Sequence, residues 1–178
     1  MLLLLACVHV VDVSIVGAEI APRTANDAAW DGPDKMPYGA LDAMKSLLSQ
    51  ADPSGQVGDA AVAMALKAEK PDAAGTATLL NDGKSSTVLT LAEVSDTLSP
   101  TWQGATFHAV TLNGKLGVRV VLADKDLSSD DAICSVDLTS AELARAAAAK
   151  GPLAIDTASR TSGQLLSVSL SIVPTPGK

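Results

Sequence analysis

The sequence predicts an all-β fold, an eight-stranded antiparallel β-sandwich with one or two short helices in its connections. Three observations support it: short runs with alternating apolar residues recur along the 178 residues, turn-forming residues separate them, and no strand–helix–strand alternation is recognisable. This length suits one domain with a sizeable core. Aromatic residues make up only 2% of the chain against 47% hydrophobic residues, so the core must consist mainly of Val, Leu, Ile and Ala.

The predicted strands share β-branched residues and period-two alternation, which indicates one buried face. The alternation is clearest at the two ends of the chain, in "VHVVDVSIVGAEI" and "GQLLSVSLSIV". The sequence "NDGK" predicts a hairpin between the third and fourth strands, and "NG" predicts a second hairpin between the fifth and sixth, because Asn, Asp and Gly tolerate positive φ. In order, the predicted strands are residues 8–20, 60–68, 76–80, 85–94, 105–112, 115–123, 132–138 and 163–173.

Two stretches between the strands have helical spacing. Residues 40–50 place four apolar side chains at intervals of three and four and end at "ADPSG", a stop signal. Residues 140–150 form an Ala-rich helix that Ser140 is expected to cap and that Gly151 and Pro152 terminate. Residues 21–39, rich in Pro, Gly, Asn and Asp, predict a long loop.

The net charge of the chain bears on the partners that it can bind. The chain carries 13 Lys and Arg against 20 Asp and Glu, a net charge of −7, which argues against nucleic acid as a partner because phosphates are bound by clustered basic residues.

"MLLLLAC" resembles a bacterial lipoprotein signal in which Cys7 is lipidated, although the apolar run is short and no basic residue precedes it. The alternatives are an extracytoplasmic lipoprotein, or a cytoplasmic peripheral protein in which residues 1–7 lead into the first strand.

The stretch "VLADKDLSSDDAICSVDL" contains a cluster of four aspartates within eight positions: Asp124, Asp126, Asp130 and Asp131. Calcium takes six to eight oxygen ligands, and carboxylates of one loop can supply several of them. The spacing does not fit the helix–loop–helix calcium pattern D-x-[DN]-x-[DN]-G-x5-E. On spacing alone, a cation site and a solvated polar turn both remain open.

Four segments in order resemble the C2 domain, a calcium-dependent lipid-binding β-sandwich. "VDVSIVGAEI" resembles its first strand, "SDTLSPTWQGATF" its T-L-N-P-x-W/F-N-E segment, "LGVRVVLADKDLSSDDAICSVDL" its third calcium loop and "SGQLLSVSLSIVP" its closing strand. The resemblance covers about residues 10–174, and it implies one domain over 8–174 with a loop–helix insertion at about 21–58 and a tail at 175–178. Cys134 stands where the family has Gly, and the third loop is about one residue shorter.

The resemblance implies a calcium site formed by two loops. Asp124, Asp126 and Asp131 match the third-loop ligands, and Asp130 is set aside as a solvated neighbour. Asp59, before "AAVAMAL", matches the second ligand of the first loop. The first ligand is either Asp27 or Asp31, and an alternative alignment uses Asp34 with "MPY".

The resemblance further implies a non-enzymatic module that binds calcium and docks on phospholipid membranes. The alternative is a calcium-independent protein-interaction domain of a membrane-tethered lipoprotein. Trp30 either contacts the membrane interface or packs over the inserted helix, since an indole ring suits both places. Trp102 and Cys134 are expected in the core. No nucleophile elbow, phosphate loop or His-based metal motif supports catalysis.

Overall fold

Two four-stranded antiparallel sheets face each other in the computed structural model, which describes residues 9–26, 30, 46–47, 50, 70–125 and 131–177. Helix α1 (Ser140–Ala148) and a 3-10 turn (Ala158–Arg160) lie in connections between strands. The strands are β1 (His9–Ile20), β2 (Ala73–Asn81), β3 (Lys84–Val94), β4 (Thr106–Leu112), β5 (Leu116–Asp124), β6 (Asp131–Leu138), β7 (Leu153–Asp156) and β8 (Leu165–Pro174).

The first sheet has the strand order β4-β1-β8-β7 and the second has β3-β2-β5-β6. Every strand pair is antiparallel. The predicted eight-stranded antiparallel sandwich is therefore confirmed within the described part of the chain. Alternate residues of both sheets point inward and form one hydrophobic cluster, as the period-two pattern requires.

The two predicted hairpins had different outcomes. The hairpin at "NDGK" is confirmed: Asn81 pairs with Lys84, and both Asp82 (φ 52°) and Gly83 (φ 74°) are left-handed, as a two-residue type I′ turn needs. The hairpin at "NG" is wrong, because β4 and β5 belong to different sheets. There the Asn113 side chain accepts the backbone N–H of Lys115 at 2.8 Å, and the chain crosses from one sheet to the other.

The remaining elements only partly follow the prediction. The sequence pattern missed β7, a strand of four residues. The predicted strand 60–68 lies outside the described residues, and of the predicted helix 40–50 only residues 46, 47 and 50 are described, in helical conformation. The helix predicted at 140–150 is confirmed as α1, but its cap is Thr139 and not Ser140.

The core contains the two side chains that the sequence placed there. Trp102 is 6% exposed, and its indole N–H donates to the carbonyl of Ala92 at 2.8 Å. Cys134 is buried on β6, and burial raises the pKa of its thiol to about 11. The thiol therefore behaves as a small apolar group at neutral pH.

One end of the sandwich contains the strand ends that carry Asp124 and Asp131, and we call it the site end. There β1 and β5 end, and β2, β6 and β8 begin. The two sheets are joined at this end by backbone hydrogen bonds through the segment after β3, from Ile20 N–H to the Leu98 carbonyl and from Thr97 N–H to the Pro71 carbonyl. At the opposite end, the far end, lies the turn at Asp82. No helix in the described ranges is long and apolar enough to cross a bilayer.

Candidate functional site

Three aspartates from three chain segments lie on neighbouring strand ends at the site end. Asp124 is the last residue of β5 and Asp131 the first of β6, and the two are partners in the β5–β6 register. Asp72 directly precedes β2, whose first residue, Ala73, is the partner of Asp124 on the other side of β5. The antiparallel ladder therefore brings the three residues to neighbouring backbone positions at one end of the sheet.

Hydrogen bonds to the backbone organise two of these carboxylates. Asp124 is fully buried, and its Oδ1 accepts the backbone N–H of Asp72 at 2.7 Å. The Oδ1 of Asp72 in turn accepts the N–H of Asp96 at 2.8 Å, where the backbone is left-handed with φ 56°. The carbonyl of Asp72 accepts the N–H of Lys125 at 2.9 Å. Asp72 and Asp124 thus fasten the start of β2 to the end of β5 and to the segment after β3.

The third carboxylate lines a polar cavity of about 180 Å³. The cavity lies between the segment after β1, the start of β6 and the start of β8, and its lining includes Thr24, Asn26, Asp131 and Gln164. The Gln164 amide donates to the carbonyl of Ala132 at 3.5 Å, which joins the two sheets beside the cavity. Hydroxyl, amide and carboxylate oxygens therefore surround a space that is large enough for a hydrated ion.

The structure brings together only part of the predicted ligand set. Of the predicted ligands, Asp124 and Asp131 are described, and they are partners in the β5–β6 register. The other predicted positions lie outside the described residues: Asp27, Asp31, Asp34, Asp59, Asp126, Asp130 and the lipidation candidate Cys7.

Trp30 lies in the interior. Its side chain is 2% exposed and belongs to the hydrophobic core, and its indole N–H donates to the carbonyl of Ala21 at 2.8 Å. A ring that inserts into a membrane interface must be exposed to solvent in the free protein. The described position of Trp30 is therefore an interior one and does not favour membrane contact, and the inserted helix over which the ring was predicted to pack lies mostly outside the described residues.

Asp72 is an aspartate of the site end that the sequence did not single out. The sequence placed the second first-loop ligand at Asp59, before the run at 60–68, whereas Asp72 directly precedes β2, the strand that pairs with β5. A weak signal was present: "KPD" stands in front of the predicted strand at 76–80, and Pro and Asp are both common in the turns that separate regular elements.

The described residues alone do not complete a metal site. Among them, no three His, Cys, Asp or Glu side chains form a group that could hold a metal ion. Asp72, Asp124 and Asp131 supply the hard oxygen ligands that calcium prefers, but a full coordination shell needs further oxygens. The sequence predicts those oxygens in segments that the described ranges exclude.

No protein-family model and no curated protein matches the chain. Similar solved structures include a single C2 domain of plant extended synaptotagmin 1, with a TM-score of 0.47, 13% identity, and coverage of 94% of this chain and 95% of that one. A calcium-bound fragment of extended synaptotagmin 2 that consists of two C2 domains has a TM-score of 0.48 and 14% identity. The match covers 93% of this chain and 46% of that fragment.

Human GIVD cytosolic phospholipase A2 is also similar, with a TM-score of 0.47 and 13% identity; the match covers 95% of this chain and 17% of the phospholipase. The chain thus spans a small part of that enzyme and about half of the two-domain synaptotagmin fragment. The synaptotagmin structures are C2 domains, the family that the sequence resembles, while the fold of this chain is defined by its own strand order and register.

Proposed function

We propose that this chain is a non-enzymatic, C2-like module that binds calcium at the site end and docks there on phospholipid membranes. One observation carries the proposal: Asp72, Asp124 and Asp131 lie at adjacent positions although they come from three different segments. Carboxylates from several segments at one end of a fold supply the negative charge and the hard oxygen ligands that calcium takes.

The residues of the chain have separate roles in this proposal. Asp124 and Asp131 present carboxylates from both sides of the third loop, and Asp72 presents one from the end of the first. The remaining ligands are predicted from Asp126 and from Asp27 or Asp31. When bound, calcium supplies positive charge that neutralises the carboxylates and attracts lipid phosphates. The site end would otherwise repel an anionic membrane, because the chain carries a net charge of −7.

The second candidate is a calcium-independent protein-interaction domain, and one observation favours it. Asp72 and Asp124 each accept a backbone N–H, so both carboxylates have a structural use without a metal. In that case the aspartates stabilise the strand ends, and the surface of the site end contacts a protein partner.

Calcium binding to the purified chain separates the two candidates. We expect calcium, but not the same concentration of magnesium, to raise the melting temperature above that in a chelator. At one hundred times the Kd, a ligand stabilises the folded state by about 2.7 kcal/mol. Isothermal titration calorimetry gives the stoichiometry. An unchanged melting temperature at millimolar calcium would eliminate the calcium site and leave the protein-interaction candidate.

Matched substitutions locate the binding. Asp131→Asn keeps the shape of the side chain and one of its oxygens but removes the charge. We therefore expect weaker calcium binding with little change in stability. Asp82→Asn makes the same change at the far end, where Asn tolerates the left-handed backbone, and should bind calcium like the wild type. Equal weakening by both substitutions would point to a general charge effect and not to a site.

Membrane docking has its own measurement. We expect the chain to sediment with vesicles that contain phosphatidylserine when calcium is present, and to remain in the supernatant with pure phosphatidylcholine or with chelator. Calcium binding without sedimentation would contradict the membrane part of the proposal while keeping the calcium site.

A further inference from the structure

A short segment after β3, residues 96–98, contacts both ends of the long connection between β1 and β2. The last residue of β1, Ile20, donates its N–H to the carbonyl of Leu98 at 2.7 Å. Thr97 donates its N–H to the carbonyl of Pro71, shortly before β2, at 3.2 Å. The segment, which we call the clasp, therefore fixes both ends of the connection that carries the first-loop aspartates.

The clasp also contacts the carboxylate of Asp72 directly. The N–H of Asp96 donates to Oδ1 of Asp72 at 2.8 Å, so the successive N–H groups of Asp96 and Thr97 both point to Pro71 and Asp72. In an extended strand, successive N–H groups point to opposite sides. A left-handed residue turns both to the same side, which is the geometry of a backbone nest for an anion. Asp96 has φ 56°, and this conformation therefore directs both donors to the start of β2.

The type of residue at position 96 decides how readily the backbone adopts this conformation. The left-handed region is unfavourable for residues with a Cβ and most of all for β-branched ones, whereas Gly, Asn and Asp adopt it more easily. Asp96 thus influences the orientation of a carboxylate 24 residues away through its backbone.

We propose that Asp96 is a positioning residue of the calcium site, whose left-handed backbone holds the Asp72 carboxylate in the orientation that binds calcium. The inference rests on the proposed function and adds to it a residue that acts through its N–H and not through its own carboxylate. Asp96 holds Oδ1 of Asp72, and Oδ2 is the oxygen that we assign to the cation. Outer partners of this kind usually contribute about 10–100-fold to metal affinity.

The test compares calcium affinity with stability in variants at position 96. Isothermal titration calorimetry gives the Kd for calcium, and thermal melting in chelator gives the stability. We expect Asp96→Val to weaken calcium binding about tenfold or more, because valine disfavours the left-handed backbone. Asp96→Asn and Asp96→Gly should bind within about twofold of the wild type, since both residues keep that backbone. If Asp96→Asn weakened binding as much as Asp96→Val, the carboxylate of Asp96 itself would be acting, and the proposal would be overturned.

Asp82 provides a matched control at the far end. Its φ is 52°, so Asp82→Val introduces the same unfavourable backbone away from the candidate site. We expect it to lower the melting temperature in chelator as Asp96→Val does, but to leave the calcium affinity unchanged. Equal weakening of calcium binding by the two variants would indicate a general effect of destabilisation and would contradict a positioning role.

A double-mutant cycle tests whether Asp96 acts through Asp72. Asp72→Ala removes both the ligand and the acceptor of the Asp96 N–H, so adding Asp96→Val should weaken calcium binding no further. Additive weakening would overturn the positioning role and leave the proposed function intact, and so would an Asp72→Ala variant that binds calcium like the wild type. A wild type that binds no calcium would overturn the proposed function and the positioning role together.

Discussion

Among single residues, Asp12 joins strand β1 to β4 and to the residue that follows β8, near the far end of the sandwich. Its Oδ1 accepts the backbone N–H of Ala109 at 2.9 Å and the hydroxyl of Thr175 at 2.7 Å, and its Oδ2 lies 3.0 Å from Nδ1 of His108. These contacts link β1 to β4 and to the residue after β8. The hydrogen bond from Ala109, followed by those from Thr175 and His108, lowers the pKa of Asp12 to about 2.

This lowered pKa predicts a pH dependence of stability. The carboxyl has an ordinary pKa of 3.8 in the unfolded chain, so between 3.8 and about 2 the unfolded state binds more protons than the folded one. The contribution of Asp12 is therefore complete above the unfolded pKa and is lost as the pH falls through about 2. In urea unfolding, we expect Asp12→Asn to be less stable than the wild type at about pH 6, with the difference disappearing near pH 2. A difference that is constant over this range would contradict the titration of Asp12.

The aspartates of the candidate site differ in how far the sequence could predict their positions. Asp124 and Asp131 were predictable because they directly flank two strands with clear alternation, "LGVRVVLA" and "AICSVDL". Asp72 was not predictable, because the sequence does not show whether the run at 60–66 or the strand that follows Asp72 pairs with β5. Residues 60–66 alternate with large apolar side chains, whereas β2 begins with the small residues Ala73, Ala74 and Gly75, which have low strand propensity. Gly75 is required there, since a Cβ would lie 1.9 Å from the carbonyl oxygen of Val121.

Among the elements, α1 is fixed at its first turn. The Thr139 hydroxyl accepts the backbone N–H of Glu142, and the Glu142 carboxylate accepts the N–H of Thr139 at 2.8 Å, which is a capping box. Arg160 donates to Glu142 at 2.9 Å and to the carbonyls of Asp137 and Asp156. The helix start is thereby joined to the end of β6 and to the connection before β8.

Removal of the cap should destabilise the protein by a predictable amount. We expect Thr139→Ala to lower the free energy of unfolding by about 1 kcal/mol, the usual cost of losing a hydroxyl cap. Thr139→Ser keeps the hydroxyl and serves as the control. Glu142→Ala should cost more than Thr139→Ala, because it also removes the acceptor of Arg160. Urea titration measures all three variants, and equal stability of Thr139→Ala and Thr139→Ser would show that the cap contributes nothing.

The elements also differ in how far the sequence determined them. "NDGK" predicted its hairpin because Asp82 and Gly83 both adopt positive φ. Asn113 and Gly114 carry an equally strong signal, but neither has positive φ, and the Asn113 side chain instead forms a turn of its own with Lys115. A turn motif indicates that the chain reverses, whereas the sheet that the next strand joins depends on packing. Strand β7 was missed because four residues after Gly-Pro are too few to show a period.

At the scale of the whole molecule, both sheets contribute to a single hydrophobic core. Leu122 on β5 and Leu170 on β8 come from opposite sheets, are 1% and 0% exposed, and belong to the same cluster of buried side chains. The site end is therefore attached to one packed body.

A shared core predicts that the two sheets unfold together. We expect Leu122→Ala and Leu170→Ala each to lower the free energy of unfolding by about 2–5 kcal/mol, because each leaves a cavity in the core. Leu166→Ala, a matched change on β8 at a side chain that is 41% exposed, should cost much less. In urea, circular dichroism reports the strands, and fluorescence reports Trp30 and Trp102, which are both buried. The two signals should give coincident transitions in the wild type and in both core variants. If Leu122→Ala shifted the transition of one signal and not the other, the sheets would be unfolding as separate units, and the single core would be contradicted.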